Sequence, residues 1–323
     1  MPDTSEAADL TTLIRAATLA PSSHNTQPWI FQVQDQRVRL FADRTRALPA
    51  NDPDDRELTI SCGCALLNLR VAADAAGLNM RLRCLPYPHD SDLLAEIELL
   101  SARRDSHELA ALALAIPRRR TYRKRFADRA VSDSAIGELT KVAEAEGAIF
   151  HRFALPNERA AVARLISDGD VVQWSDVNWR RELAQWMHAR HQGDGLTVPD
   201  LIAPVAQAVV KNFNIGSRVA ARDRRLAEAS PMLAVVATAS DGAVQWLRAG
   251  QALERVLLVA AHNGLQASFL NQPIQVDSLR PKLQAMIPGR PFPQILLRIG
   301  FPTGQVAAAP RRELSEVFET AMD

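Results

Sequence analysis

The sequence predicts an α+β fold made of two tandem halves, packed on each other as a pseudo-dimer within one chain, with a helical lid inserted in the second half. Three observations predict it. Helical and strand periods are interleaved along the 323 residues, with no long run of either. An apolar helix closed by glycine recurs: Val71-Ala72-Ala73 leads to Gly77-Leu78, and Val259-Ala260-Ala261 leads to Gly264-Leu265, each followed by strands. Residues 174–225 differ in character, with three of the five tryptophans, both charge signs and Gly193-Asp194-Gly195. The alternative for the recurrence is a chance likeness of two Ala-rich helices. The halves are placed at 1–103 and 104–323.

In chain order, residues 12–19 read as a helix broken by Ala20-Pro21-Ser22-Ser23. Residues 29–43 alternate apolar and polar around a polar turn at 34–36, the pattern of a hairpin. The Pro-, Asp- and Asn-rich stretch 48–57 reads as a loop. Residues 64–76 form an apolar helix that Gly77 stops as a left-handed cap, and strands follow near 80–85 and 94–100. A second unit starts near Ile116. Residues 132–146 read as a helix with Ser132 as its N-cap, and 151–155 as a strand. After the insertion come a buried strand at 232–239, a long apolar helix at 250–263, a strand at 266–270, a helix at 278–286 and a strand at 294–301. The tail, 310–323, reads as basic and then helical.

Composition excludes several classes of function. The formal net charge is +1, whereas nucleic-acid binders that work by bulk charge are basic overall. No apolar run approaches the roughly 18 residues that span a bilayer. The N-terminus is acidic and polar, unlike a signal peptide, so the expected location is the cytoplasm. The three cysteines, Cys62, Cys64 and Cys84, are odd in number and suggest buried free thiols rather than a disulfide framework. His188 and His191 stand three apart on an expected helix, but no third ligand of suitable type is evident, so no metal is expected. No Rossmann, Walker or nucleophile-elbow motif is present.

Four segments can carry chemistry. In APSSHNTQPW (20–29), two prolines stiffen a loop of consecutive hydrogen-bonding side chains that include Ser22, Ser23, Asn25 and Gln27. Such a loop can aim several donors and acceptors at one flat polar ligand, or simply cap a helix. In PRRRTYRKRF (117–126), six basic residues fall within eight positions, among them Arg119, Arg120 and Arg123 around Thr121. Guanidinium groups beside a hydroxyl suit a phosphate, although a solvated charged face is the ordinary alternative. In SFLNQP (268–273), Pro273 ends a strand and either leaves the amides near Asn271 and Gln272 available to a ligand or marks a plain strand-to-loop exit. Arg311 and Arg312 in PRREL (310–314) offer a second phosphate contact or merely begin the last helix.

Taken together, these segments resemble the nitroreductase family, most closely its Acg-like branch. APSSHNTQPW is similar to the family's flavin-contacting loop. RRTYR is similar to its Arg-Arg-Ser-x-Arg segment, with Thr121 in place of serine and one extra residue before Phe126. The stretches from GLQASFLNQP through GRPFPQILLRIGFP to PRREL resemble the family's C-terminal half. The order departs from the usual pattern. Here the serine loop comes first and the arginine segment follows in the second half, with no second serine loop after it. The family builds each flavin site from two subunits, so the resemblance implies a fused dimer with one site kept.

By resemblance, the cofactor is FMN, with NAD(P)H as electron donor. Arg119, Arg120 and Thr121, with Arg123, are expected at the phosphate or ribityl chain and the pyrimidine edge. Ser22, Ser23, Asn25 and Gln27 are expected to reach the flavin from the first half, Arg311 or Arg312 the phosphate, and the amides near Asn271 and Gln272 the flavin N5. No acid–base residue is named, because the cofactor carries the hydride chemistry. The implied activity is hydride transfer from NAD(P)H to a nitroaromatic, quinone or similar small-molecule acceptor. The alternatives are a storage protein that sequesters FMN under the lid, and a phosphate-ligand domain without flavin. Fusion is compatible with a monomer and leaves a homodimer open.

Overall fold

In the first half the alternating segment folds as the hairpin its pattern demands. β1 (Trp29–Gln34) and β2 (Arg37–Ala42) pair antiparallel, with Phe31 opposite Leu40 and Val33 opposite Val38, all four buried. Between them Asp35 takes the left-handed backbone of a tight turn. β3 (Leu78–Cys84) and β4 (Leu93–Arg103) extend the sheet in the order β3-β4-β2-β1. The fifth strand comes from the other end of the chain: β11 (Phe318–Thr320) lies parallel to β1. The expected C-terminal helix is therefore only a 3-10 turn, Leu314–Glu316, before this strand. This computed structural model describes residues 4–103, 108–189, 192–199 and 201–320; the reading of His191 lies outside them.

The second sheet is β5 (Ile149–Phe153), β8 (Met232–Thr238), β10 (Phe292–Gly300) and β9 (Gln266–Phe269), antiparallel throughout. Every residue of β8 is buried. That explains its unbroken apolar run, because a strand covered on both faces has no polar alternation. One face meets the main core and the other a smaller cluster around Phe153, Ile166 and Leu283.

α1 (Thr4–Ala17), α2 (Arg56–Ala75), α3 (Asp133–Ala145) and α8 (Ala243–His262) surround the main core. Ser132 caps α3 by accepting from the Ala135 amide, as expected. α2 and α8 cross at Gly63 and Gly250. A Cβ on Gly250 would lie 2.1 Å from the Ile60 carbonyl oxygen, so only glycine permits the approach. α2 begins earlier than the sequence suggests and is long and apolar enough to span a membrane by composition, yet it lies inside the protein.

The helical insertion also starts early. It consists of α4 (Pro156–Ser175), α5 (Val177–Gln185), the short pair β6 (Met187–His188) and β7 (Leu196–Thr197), α6 (Ala203–Asn212) and α7 (Gly216–Glu228). α9 (Gln272–Gln275) and α10 (Arg280–Gln284) follow β9.

Candidate functional site

A cavity of about 350 Å³ is lined by residues from sequence-distant segments and lies beneath α4, α5 and α7. Its first wall is the loop after α1, with Pro21, Ser22, Ser23 and His24 facing in. His24, Asn25 and Gln27 have φ of 50°, 58° and 52°, a strained run for non-glycine residues. Local bonds hold it. Ser22 Oγ accepts from the Gln27 amide at 2.9 Å, and Ser23 Oγ donates to Glu57 Oε2 at 2.5 Å. Burial keeps His24 neutral, with its pKa lowered to about 4.

The second wall is the arginine segment, which contributes Thr121 and Arg123. It is stitched to the edge of the second sheet. Thr121 bridges to Ala267, and the Tyr122 amide donates to the Ala267 carbonyl at 2.8 Å. Buried Arg298 donates to the carbonyls of Lys124 and Tyr122 at 2.9 and 3.0 Å.

The third wall is the exit of β9, where Asn271 and Gln272 line the cavity. They stand at the N-terminal end of α9, where the first amides of a helix have no acceptor within it. Asn271 Oδ1 accepts from the Leu296 amide at 3.0 Å, which fixes the turn.

The insertion supplies the roof: Asp170 and Trp174 from α4, Trp179 from α5, Leu196 from β7, and Val219 and Asp223 from α7. Trp174 and Trp179 meet edge to face at 5.6 Å, and Trp179 Nε1 donates to Asn51 Oδ1 at 3.0 Å. Burial, then Asp223, raises the Asp170 carboxyl to about 7.

Of the predicted residues, Ser22, Ser23, Thr121, Arg123, Asn271 and Gln272 meet in this cavity. The others stand behind it. Arg119 and Arg311 both donate to the Leu19 carbonyl, at 3.0 and 2.8 Å. Arg120 is close enough, with Arg119, to lower the Arg311 guanidinium; with burial as the main cause, it falls to about 9. A buried carboxylate, Glu254 on α8, lies 3.4 Å from Arg119 Nε. Asn25, Gln27 and Arg312 tie the loop to the tail. Asn25 Nδ2 donates to the Pro310 carbonyl at 3.2 Å, and the Arg312 amide donates to Gln27 Oε1 at 3.0 Å.

Sequence reasoning missed Glu57. It is buried, lines the cavity, and accepts from Ser23, Asn271 Nδ2 at 3.2 Å, Gln275 Nε2 at 2.9 Å and Arg56 at 3.1 Å. It therefore fastens the serine loop of one half to the β9 exit of the other. Its only local signal is a charged pair, Arg56-Glu57, directly before an apolar run. Asp170, Asp223 and Arg298 were missed because their partners are distant in sequence.

The cavity thus sets a serine-bearing loop against a cationic segment on an α+β scaffold. No family model matches the chain. A Mycobacterium tuberculosis protein named "Putative NAD(P)H nitroreductase" is 31% identical over 97% of this chain and 92% of its own length. The chain belongs to that nitroreductase family, a family of oxidoreductases. The M. tuberculosis protein acg, which carries the same name, is 30% identical over 98% of each chain. Among solved structures, a BluB-like flavoprotein of Clostridium difficile matches 64% of this chain and 96% of its own at 19% identity and a TM-score of 0.41. An FMN- and NADPH-dependent nitroreductase of a Sphigopyxis strain matches the same shares at 17% identity and 0.40.

Proposed function

We propose that this chain binds one FMN in the cavity and passes electrons from NAD(P)H to a quinone, nitroaromatic or similar flat acceptor. The observation that carries the proposal is convergence. Ser22 and Ser23, Thr121 and Arg123, and Asn271 and Gln272 line a single cavity, though they come from three distant segments.

The donor set suits this cofactor. His24 Nδ1 and Gln272 Oε1, on residues lining the cavity, are buried without a partner among the described residues, and so is Arg311 Nε in the neighbouring cationic cluster. A ligand with ring heteroatoms and a phosphate supplies partners of both kinds. In this reading Thr121, Arg123 and the serines hold the ring edge and ribityl chain. Arg119, Arg120 and Arg311 hold the phosphate, with Arg312 bracing the loop behind them. The amides at the start of α9 face the redox edge of the ring. When bound, FMN supplies the hydride chemistry; the chain positions it, excludes water and aligns the acceptor. The same reading takes the halves as copies of one unit fused head to tail, so that one chain supplies both the loop and the arginines.

A second reading, storage of FMN with little turnover, is favoured by the roof that Trp174, Trp179 and Leu196 place over the cavity. Purified protein is expected to show a flavin spectrum with one FMN per chain, bleached by NADH or NADPH without oxygen. A flavin that dithionite reduces but neither nicotinamide does selects storage. A colourless protein that fails to take up added FMN removes both readings.

A further inference from the structure

The flavin reading above gives no role to two carboxyl groups in the roof. Asp170 on α4 and Asp223 on α7 both line the cavity. They share one donor: Gln272 Nε2 lies 3.1 Å from Asp170 Oδ1 and 3.3 Å from Asp223 Oδ2. Asp170 is 2% exposed, and its other oxygen, Oδ2, has no partner among the described residues. Gln272 is held in place, because α4 packs so tightly there that a Cβ on Gly169 would fall 2.6 Å from Gln272 Cβ. The pair is thus fixed beside the residue expected at the redox edge of the ring.

We infer that Asp170 gives the reduced acceptor its proton, with Asp223 retaining that proton on the pair between turnovers. The inference rests on the flavin reading above. Two-electron reduction of a quinone consumes one hydride and one proton. A quinone that has accepted a hydride at one oxygen would carry the electron pair displaced through the ring on the other. The Asp170 O–H bond then breaks, an O–H bond forms at that oxygen, and the carboxylate takes a proton back from water.

The surroundings suit this role. Burial disfavours two negative charges side by side, so the pair titrates as a unit. Burial and then Asp223 raise Asp170 to about 7. Burial also raises Asp223, opposed by Arg222 on α7 and Arg298 on β10. Arg123, Glu57, His24 and Cys64 are the other charged or titratable groups lining the cavity. An acid poised near neutrality both donates and recovers a proton readily.

The test compares wild type with Asp170→Asn and Asp223→Asn. The amide introduced by Asp170→Asn keeps the shape and can accept from Gln272, but it has no carboxyl proton to give. FMN stoichiometry and affinity should be unchanged in Asp170→Asn. Reoxidation of its anaerobically reduced form by p-benzoquinone should be slower by about 100-fold, on the low side for a lost general acid. Its rate should also lose the break near neutral pH and the solvent deuterium effect seen in wild type. Infrared spectra of the flavin-free protein provide a readout independent of turnover: a protonated-carboxyl band that titrates near neutrality in wild type and is missing in Asp170→Asn. Asp223→Asn should move that band's midpoint down. A wild-type reoxidation rate in Asp170→Asn, or no such band in wild type, overturns the inference. Loss of FMN from Asp170→Asn alone overturns it too, by assigning Asp170 to cofactor binding. Failure of wild type to bind FMN overturns the flavin reading instead, and the infrared band separates that case.

Discussion

At the scale of single residues, Glu57 decides whether the cavity has a shape. Its carboxylate accepts from four side chains, two of them, Asn271 and Gln275, from the other half of the molecule. Asp52 anchors the helix that carries it by accepting from the Leu58 amide at 2.9 Å. Truncating Glu57 leaves Arg56, which is buried, without its carboxylate, and strands three neutral donors. Glu57→Ala should lower stability by about 3–5 kcal/mol, the range for breaking a buried charge pair, as read by urea denaturation. Glu57→Gln should recover part of that loss, because an amide oxygen still accepts. If Glu57→Ala unfolds at the wild-type urea concentration, the hub is only nominal. The same residue shows what could be read from sequence. Ser22, Ser23, Thr121 and Arg123 were legible because each sits in a dense polar or basic segment. Glu57, Asp170 and Arg298 each bond to a partner more than a hundred positions away, which no local pattern encodes.

At the scale of elements, the closest joint is the crossing of α2 and α8. Gly63 and Gly250 let the two backbones touch, and a Cβ on either meets a carbonyl oxygen of the other helix at 2.3 or 2.1 Å. Alanine is the better helix former by about 1 kcal/mol, but here the steric term wins. Overpacking of a tight core costs about 1–3 kcal/mol or more, and rigid backbone atoms on both sides leave little room to relax. Gly250→Ala should therefore destabilise despite its propensity gain. Gly137→Ala, on the exposed face of α3 with nothing within 4 Å of the added methyl, should stabilise by about 0.5–1 kcal/mol. Thermal melts of the two variants should move in opposite directions, and equal shifts would discount the crossing. The helices themselves were readable from their apolar runs and glycine stops, with Gly77 and Gly264 at φ of 75° and 74°. The start of α2 was not, because its first turn buries charged residues that read as loop. β11 was not either, since three residues become a strand only by pairing with β1.

At the scale of the molecule, residues on either side of position 103 share the main core. One apolar cluster runs from Leu13 and Trp29 through Leu66 on α2 to Leu253 and Val259 on α8 and on to Ile299 of the second sheet. Val317, fully buried just before β11, closes the first sheet from the far end of the chain. Cutting the chain between 103 and 104 would separate α2 from α8 and β1 from β11. It would also expose a helix apolar enough to enter a membrane. Neither fragment should then fold alone, because each would expose the part of the shared apolar core that offsets its chain entropy. The intact protein should melt in one calorimetric transition, with the van't Hoff and calorimetric enthalpies equal. Fragments 1–103 and 104–323 produced separately should be unfolded or aggregated, and produced together they should form a soluble complex that regains the flavin spectrum. A cooperative melt from fragment 1–103 alone would contradict the shared core. It would also weaken the case that the cavity, walled by both fragments, exists only in the assembled molecule.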